Sequence, residues 1–145
     1  MKPNQLTVTL GFMVTLSTLM ASVAVTAQST VPEPPTFKVR VMPDLIFAKV
    51  DEVELVLDLH MPEGVEKPAL ILFIHGGGWK QGSRKNFELR WLPALGYAVA
   101  CIEYRMSNEA VFPAQIHDCK GALRWLRAHQ QELGYDASKV VVAGL

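Results

Sequence analysis

The sequence predicts an α/β fold in which a mostly parallel sheet carries helices on both faces. Two runs, residues 69–74 and 140–143, are apolar without alternation, which is typical of strands buried on both faces. Between them, residues 113–133 carry apolar side chains at helical spacing. Strands that alternate with helices form βαβ units, so we expect these strands to lie parallel and to end at one edge of the sheet.

The sheet is predicted to begin with a hairpin. Residues 53–59 carry apolar side chains at every second position, which predicts a strand with one wetter face. Residues 45–50 form the strand before it, and Asp51 and Glu52 supply the turn between the two strands.

Two strands and a helix are predicted to follow the hairpin. Residues 69–74 form the first buried strand, and residues 97–102 form the second. Residues 86–95 between them are predicted to be helical, with Gly96 ending the helix in the left-handed cap conformation.

The helix over residues 113–133 is the clearest of the predicted elements, and Gly134 ends it. A third buried strand, at residues 140–143, follows this helix. The predicted buried stripe of the helix consists of Ile116, Cys119, Leu123 and Leu126.

The N-terminal segment has the pattern of a secretory signal peptide. Residues 1–27 contain a single charge, Lys2, followed by an apolar run and by the small residues of Val25-Thr26-Ala27. We therefore expect cleavage before Gln28, a secreted or periplasmic protein, and no membrane attachment after cleavage. An uncleaved anchor is the weaker alternative, because Thr, Ser and Gly interrupt the apolar run.

The remaining sequence divides into a short linker and one domain segment. Residues 28–36 contain three prolines and are predicted to be a stiff, extended linker before the folded segment 37–145. A chain that is 50% hydrophobic and 19% charged is not disordered, and its zero net charge argues against a nucleic-acid partner. Cys101 and Cys119 could form a disulfide in a secreted protein, but two buried thiols are the favoured interpretation.

The sequence with the clearest chemical meaning follows the first buried strand directly. This strand runs into His75 and then into three glycines, Gly76 to Gly78. Consecutive glycines allow a sharp bend and present backbone N–H groups that no Cβ shields. Two such donors can bind the oxygen anion of a tetrahedral intermediate. The ends of the other strands, at 103–105 and 144–145, are expected at the same edge of the sheet.

Several short motifs together carry a family resemblance. They are His75-Gly76-Gly77-Gly78-Trp79, Glu103-Tyr104-Arg105-Met106-Ser107, the segment 112–118, and Gly134-Tyr135-Asp136. In this order and at this spacing they resemble the N-terminal part of α/β-hydrolase carboxylesterases of the BD-FAE and hormone-sensitive-lipase-like families. The resemblance extends from about residue 44 to residue 145.

The resemblance implies roles for several residues. The backbone N–H groups of Gly77 and Gly78 would form the oxyanion hole, with His75 supporting the loop rather than acting as a base. Trp79 would contact a small-molecule ester substrate or serve as a packing residue, and both roles stay open. The reaction would need no cofactor. Tyr104, Arg105 and Asp118 are expected to be scaffold. We hypothesise that an ion pair between Arg105 and Asp118 fixes the loop after the 97–102 strand.

The same family places its nucleophile in a G-x-S-x-G turn after the fifth strand, followed in the chain by an acid and a histidine. Gly144 and Leu145 fit the first two positions of that motif. The nucleophilic Ser, the Asp and the His are therefore expected outside the 145 residues, as in a sheet truncated after about its fifth strand. We expect this segment alone to be inactive and, with one bare strand edge, insoluble or molten. The residues that do not fit the triad positions are Ser83, Ser107, Ser138, His60, His117 and His129.

Other kinds of site fit the sequence less well. Gly76, Gly78, Gly82 and Glu103 imitate a dinucleotide-binding pattern, but the glycine spacing differs by one residue. The sequence contains no phosphate-binding Gly-Lys-Ser/Thr motif, and its histidines lack metal-ligand spacing. Two alternatives to an ester hydrolase stay open at this point. They are an exported, non-catalytic pseudo-hydrolase that binds a ligand, and an amidohydrolase similar to kynurenine formamidase.

Overall fold

The computed structural model describes residues 36–144. The predicted signal peptide and all but the last residue of the predicted linker lie outside this range. The described residues form five strands and one α-helix: β1 (Val39–Val50), β2 (Val53–Pro62), β3 (Ala69–Ile74), β4 (Ala98–Ile102), α1 (Ala114–Leu133) and β5 (Asp136–Gly144). None of the helical segments within 36–144 is long and apolar enough to cross a membrane.

The sheet combines an antiparallel hairpin with a parallel unit, and the strand order is β1-β2-β4-β3-β5. β2 pairs antiparallel with both β1 and β4, whereas β3 pairs parallel with β4 on one side and β5 on the other. The predicted α/β class is therefore confirmed, and the three parallel strands end at the same edge of the sheet.

The hairpin forms across the predicted turn, but its second face is drier than the alternation suggested. Leu55, Leu57 and Leu59 pack into the core on one face, as expected. Asp58 on the other face is also buried, because Arg84 from a later loop covers it. Charged residues in a strand can be covered by an ion pair that strand periodicity does not reveal.

The two faces of the central strands pack against different layers. On one face, Leu70 and Leu72 of β3 pack with α1 through Leu126. On the other face, Phe73 packs against Phe87, with ring centroids 5.1 Å apart. The two cysteines follow this division, since Cys101 belongs to the Phe73 layer and Cys119, on α1, packs against the core on the other face. Both are free thiols, as the favoured interpretation predicted, but only Cys101 is buried and Cys119 is partly exposed.

The predicted helix over residues 86–95 is wrong. Only a short 3₁₀ turn forms, at Pro93–Leu95, and the residues before it are irregular. Proline has no N–H to donate and its ring clashes with the carbonyl four residues earlier, so Pro93 prevents a continuous helix through this segment even though Leu92 has helical φ −59° and ψ −43°. The predicted left-handed cap does form, since Gly96 has φ 97° and its N–H donates to the Pro93 carbonyl. In residues 36–144, therefore, only one face of the sheet carries an α-helix.

α1 has the predicted extent, but its buried face is rotated by about one residue. Its buried side chains are Gln115, Asp118, Ala122 and Leu126, whereas Ile116 is exposed. The two polar members face inward because they have partners: Gln115 donates to the Ala110 carbonyl, and Asp118 pairs with Arg105. The apolar pattern therefore located the helix correctly but not the orientation of its first turns.

β5 is longer and more exposed than predicted. It was expected to be buried, but among residues 36–144 it pairs only with β3 and lies at the edge of the sheet. Val141 and Val142 are 61% and 56% exposed. The apolar run indicated correctly that a strand forms there, but burial also depends on what covers it.

Candidate active site

The candidate site lies where β3, β4 and β5 end. An open cavity of about 340 Å³ occupies this edge of the sheet. Its lining includes the glycine loop after β3, Tyr104 just after β4, and Gly144 at the end of β5. These residues are His75, Gly76, Gly78, Trp79, Tyr104 and Gly144. The topology therefore brings together the three strand ends that the sequence predicted to meet.

Gly77 has a conformation and surroundings that only glycine tolerates. Its φ is 123°, and an added Cβ would lie 1.9 Å from the Gln81 carbonyl oxygen. Its own carbonyl accepts a 3.2 Å hydrogen bond from the Lys80 N–H, which closes the turn. Within the described range of 36–144, the N–H groups of Gly77 and Gly78 donate no backbone hydrogen bond. Two unpaired donors therefore stand side by side in the loop.

His75 is buried beneath the loop, with 3% of its surface exposed. Its Nδ1 lies 2.9 Å from the Gly76 carbonyl oxygen, and its ring stacks on Tyr104 with centroids 4.4 Å apart. The Tyr104 hydroxyl donates to the His75 carbonyl at 2.9 Å. These contacts hold the start of the glycine loop against Tyr104, just after the end of β4.

A partly buried cluster of charged residues lies beside His75, and no sequence motif predicted it. His75 Nε2 is 3.2 Å from Glu103 Oε1, a close charge contact that is poorly aligned for a hydrogen bond. Arg84 contacts Glu103 at 3.2 Å and Asp58 at 2.9 Å, and it also pairs with Asp44. The cluster joins the glycine loop, the end of β4 and the hairpin, three segments far apart in sequence. No local spacing rule could have connected them.

The charges of this cluster shift the pKa values of its members. Burial lowers the pKa of His75, but Glu103 and the Gly76 carbonyl raise it by more, so the net pKa is raised. Burial raises the pKa of Glu103, but its contacts with His75 and Arg84 lower it by more, so the net pKa is lowered. Both shifts favour the charged forms, His75 as a cation and Glu103 as an anion.

The hypothesised pair between Arg105 and Asp118 is confirmed. The guanidinium donates to both carboxylate oxygens, at 2.9 and 2.7 Å, and the Arg105 backbone N–H donates a third hydrogen bond at 3.0 Å. This two-pronged contact is the strong form of an Arg–carboxylate pair. It fixes the loop after β4 to the first turns of α1.

Trp79 lies at the rim of the cavity and stacks on Phe112, a contact that the sequence did not predict. It has φ 62° and is partly exposed, and its indole stacks on Phe112 with centroids 5.7 Å apart. Its carbonyl accepts a 2.8 Å hydrogen bond from the Ser107 N–H, which connects the glycine loop with the loop after β4. The two rings form an exposed aromatic pair beside the cavity.

The other histidines have contacts away from the cavity or are exposed. His60 packs against Phe87, and His129 stacks on Trp125. His117 is exposed on α1. Within residues 36–144, no group of His, Cys, Asp or Glu is arranged to hold a metal ion.

A dinucleotide site does not fit this geometry. Such a site needs a helix N-terminus directly after the glycine loop to bind the pyrophosphate. No helix starts there, because the segment after Gly82 is irregular up to Pro93. The Glu103 carboxylate, which would have to bind the ribose, is instead engaged by Arg84 and His75.

Comparison with known proteins gives consistent matches. The BD-FAE family model matches residues 57–145. An arylesterase of Saccharolobus solfataricus is 30% identical over 100 residues, which cover 67% of this chain and 33% of that protein. Carboxylesterase NlhH of Mycobacterium tuberculosis (strain ATCC 25618 / H37Rv) is 36% identical over 78 residues, which cover 52% of this chain and 24% of that protein.

Solved structures agree with these matches. A bacterial heroin esterase superposes with a TM-score of 0.62 and 30% sequence identity, over 79% of this chain and 37% of that one. Esterase Est2 of Thermogutta terrifontis superposes with a TM-score of 0.64 and 31% identity, over 78% of this chain and 41% of that one. The chain spans between 18% and 33% of the length of the first curated relatives that it matches.

Proposed function

The chain belongs to the BD-FAE family of α/β-hydrolase carboxylesterases, and on that premise we propose that it supplies the oxyanion hole of a serine carboxylesterase. The reaction is hydrolysis of a carboxylic ester through an acyl-enzyme. The serine nucleophile, the acid and the general base come from outside residues 36–144. The described residues stabilise the charge that develops on the substrate carbonyl oxygen.

The observation that carries this proposal is the pair of unpaired backbone donors in the glycine loop. Gly77 and Gly78 donate no backbone hydrogen bond within residues 36–144. Gly78 lines the cavity at the strand ends, and Gly77 lines a second cavity of about 460 Å³ that shares His75 and Gly76 with the first. Donors fixed in advance cost no reorganisation when the oxyanion forms. Each one typically contributes about 2.7–4 kcal/mol to lowering the barrier.

The proposed substrate is a small carboxylic ester, either one with a short acyl chain or an aryl ester. The rim of the cavity carries the stacked pair of Trp79 and Phe112, a flat apolar surface on which such a group can lie. The names of the relatives, an arylesterase and a carboxylesterase, agree with this class.

The test is an activity assay on the full-length protein with p-nitrophenyl acetate and butyrate. In Gly77→Ala the new Cβ would lie 1.9 Å from the Gln81 carbonyl oxygen, so the loop must move and the donors with it. We expect kcat to fall about 10²–10³-fold, the loss typical of one misplaced oxyanion donor. The matched control is Gly64→Ala, another glycine with positive φ, where nothing lies within 4 Å of the new Cβ.

A second assay separates an enzyme from a ligand-binding pseudo-hydrolase. A serine esterase reacts covalently with a fluorophosphonate probe, and a pseudo-hydrolase without the serine does not. Absence of both ester hydrolysis and probe labelling in the folded full-length protein would overturn the proposal. Hydrolysis of an N-formyl amide in preference to both esters would favour the amidohydrolase alternative.

We further propose that the protein is secreted or periplasmic. The support is the composition of residues 1–27, with one charge before an apolar run and small residues before Gln28. Cell fractionation and N-terminal sequencing of the exported protein test this, with Gln28 expected as the first residue. A cytoplasmic protein that retains Met1 would contradict the localisation and leave the esterase proposal untouched.

A further inference from the structure

Both ring nitrogens of His75 face oxygen atoms. Nδ1 lies 2.9 Å from the Gly76 carbonyl oxygen at hydrogen-bond geometry, and Nε2 lies 3.2 Å from the Glu103 Oε1 charge without the alignment of a hydrogen bond. A neutral imidazole carries only one N–H, so one of these oxygens would face a nitrogen lone pair. Because the ring is only 3% exposed, water has little access to relieve that repulsion. Only the imidazolium, with two N–H groups, suits both neighbours.

We propose that His75 is a doubly protonated imidazolium that fixes the Gly76–Gly77 peptide, and that Glu103 is the positioning residue that keeps it in this form. This inference rests on the proposed function, since it concerns the direction in which the oxyanion donor points. It means that a charged side chain supports the loop. It also means that the direction of the oxyanion donor depends on the protonation of His75, which touches no reacting atom.

The geometry of the peptide unit transmits the effect. A trans peptide is planar, so the carbonyl of Gly76 and the N–H of Gly77 point in opposite directions within one plane. A His75 N–H that holds the carbonyl therefore also fixes the direction of the N–H. If the ring turned or lost its Nδ1 proton, the glycine peptide would be free to rotate, because glycine has no Cβ to restrict it.

Glu103 is itself held in one orientation. Its Oε2 accepts from the Ser83 hydroxyl at 3.4 Å, from the Arg84 N–H at 3.3 Å and from the Arg84 guanidinium at 3.2 Å. This leaves Oε1 to face His75. Arg84 is anchored in turn by Asp58 and Asp44, so contacts with the neighbouring hairpin fix the orientation of the carboxylate.

The groups that face the ring set its behaviour with pH. Glu103 faces one edge and Tyr104 one face, with Arg84, Asp58 and Asp44 behind the carboxylate. Burial raises the pKa of the Tyr104 phenol, which therefore stays neutral. When His75 loses a proton at higher pH, the carboxylate retains the Nε2 proton. Nδ1 is then left as a lone pair against the Gly76 carbonyl, and the peptide is released.

The substitution Glu103→Gln separates this mechanism from a general loss of structure. Three donors fix the amide oxygen at the Oε2 position, so the amide NH₂ faces Nε2 of His75. A neutral ring protonated at Nδ1 then still donates to the Gly76 carbonyl. We therefore expect kcat of the wild-type full-length protein to decline on the alkaline side, and the Gln variant to lose that decline. The matched control is Asp118→Asn, which neutralises another buried carboxylate paired with an arginine.

The second readout is the ¹⁵N NMR spectrum of His75 in the full-length protein, assigned by comparison with His75→Asn. We expect both ring nitrogens to be protonated at pH 7 in the wild type and in Asp118→Asn, and a neutral Nδ1–H ring in Glu103→Gln. A neutral wild-type His75 at pH 7, or an alkaline decline that survives in a folded Glu103→Gln, overturns the inference. If the protein hydrolyses no ester but its His75 is doubly protonated, the proposed function fails and the imidazolium stands.

Discussion

Asp118 illustrates how much one buried charge depends on its partner. The carboxylate lies inside the first turns of α1 and is satisfied by three hydrogen bonds from Arg105. Removing one partner of a buried ion pair leaves the other desolvated and unpaired, which costs more than the pair contributed. The Arg105 side chain is 16% exposed to solvent, whereas the Asp118 side chain is only 3% exposed.

The change Arg105→Met therefore tests a structural role. We expect the free energy of unfolding to fall by about 3 kcal/mol, the lower end of the cost of breaking a buried pair, because the arginine is partly solvated. Turnover per folded molecule should change little, since neither residue lines the cavity at the strand ends. Urea denaturation and an active-site titration of the full-length protein measure the two quantities.

The control for this prediction is Arg124→Met, which removes the same charge from an exposed position of α1. Surface changes of this kind usually alter stability by less than about 0.5 kcal/mol. A larger effect of Arg105→Met on turnover than on stability would show that Arg105 contributes to the chemistry, contrary to the scaffold interpretation.

The sequence predicted the positions of the strands and of α1 better than it predicted their burial and their tertiary contacts. All five predicted strands and α1 form, but β1 begins at Val39 and not at residue 45, and β5 was assigned the wrong burial. The helix at 86–95 was wrong because Pro93 outweighs the local helix preference. The Arg84 cluster could not be predicted, because it joins segments that only the tertiary fold brings together.

The rotated face of α1 leads to a test at the level of the element. Leu126 has no exposed surface, whereas Ile116, which the spacing placed in the same stripe, is 37% exposed. We expect Leu126→Ala to lower the free energy of unfolding by about 2–5 kcal/mol, the range for a buried leucine. Ile116→Ala should cost less than about 1 kcal/mol, because it buries less apolar surface and leaves no enclosed cavity.

Both variants lie on the same helix and replace a side chain of the same volume. Isoleucine is β-branched and has a lower helix propensity than leucine, but that difference is only a few tenths of a kcal/mol and is small beside the expected loss at Leu126. Thermal and urea unfolding of the two proteins under the same conditions provide the comparison. Equal losses would mean that the sequence pattern gives the buried face correctly and that the orientation of the first turns of α1 is wrong.

For the whole molecule, the strand order determines both where the site lies and where the sheet is open. The parallel order β4-β3-β5 places three strand ends around the cavity. Asp44 and Asp58 of the hairpin pair with Arg84, which in turn contacts Glu103 just after β4. The same order leaves the outer edge of β5 without a paired strand within residues 36–144. An unpaired edge with exposed valines is a template for association.

The outer edge of β5 makes the segment that contains it prone to association. We expect residues 28–145, expressed alone, to be insoluble or molten, because Val141 and Val142 are more than half exposed beside unpaired backbone groups. Val141→Lys should raise the soluble fraction, since a charge on an edge strand opposes pairing with another edge. Val111→Lys adds the same charge at an exposed loop position and should help less if the edge is the cause. Sedimentation and light scattering measure the soluble and associated fractions. A soluble monomer with a sharp, cooperative melting transition in the unsubstituted segment would show that β5 needs no further strand to be stable.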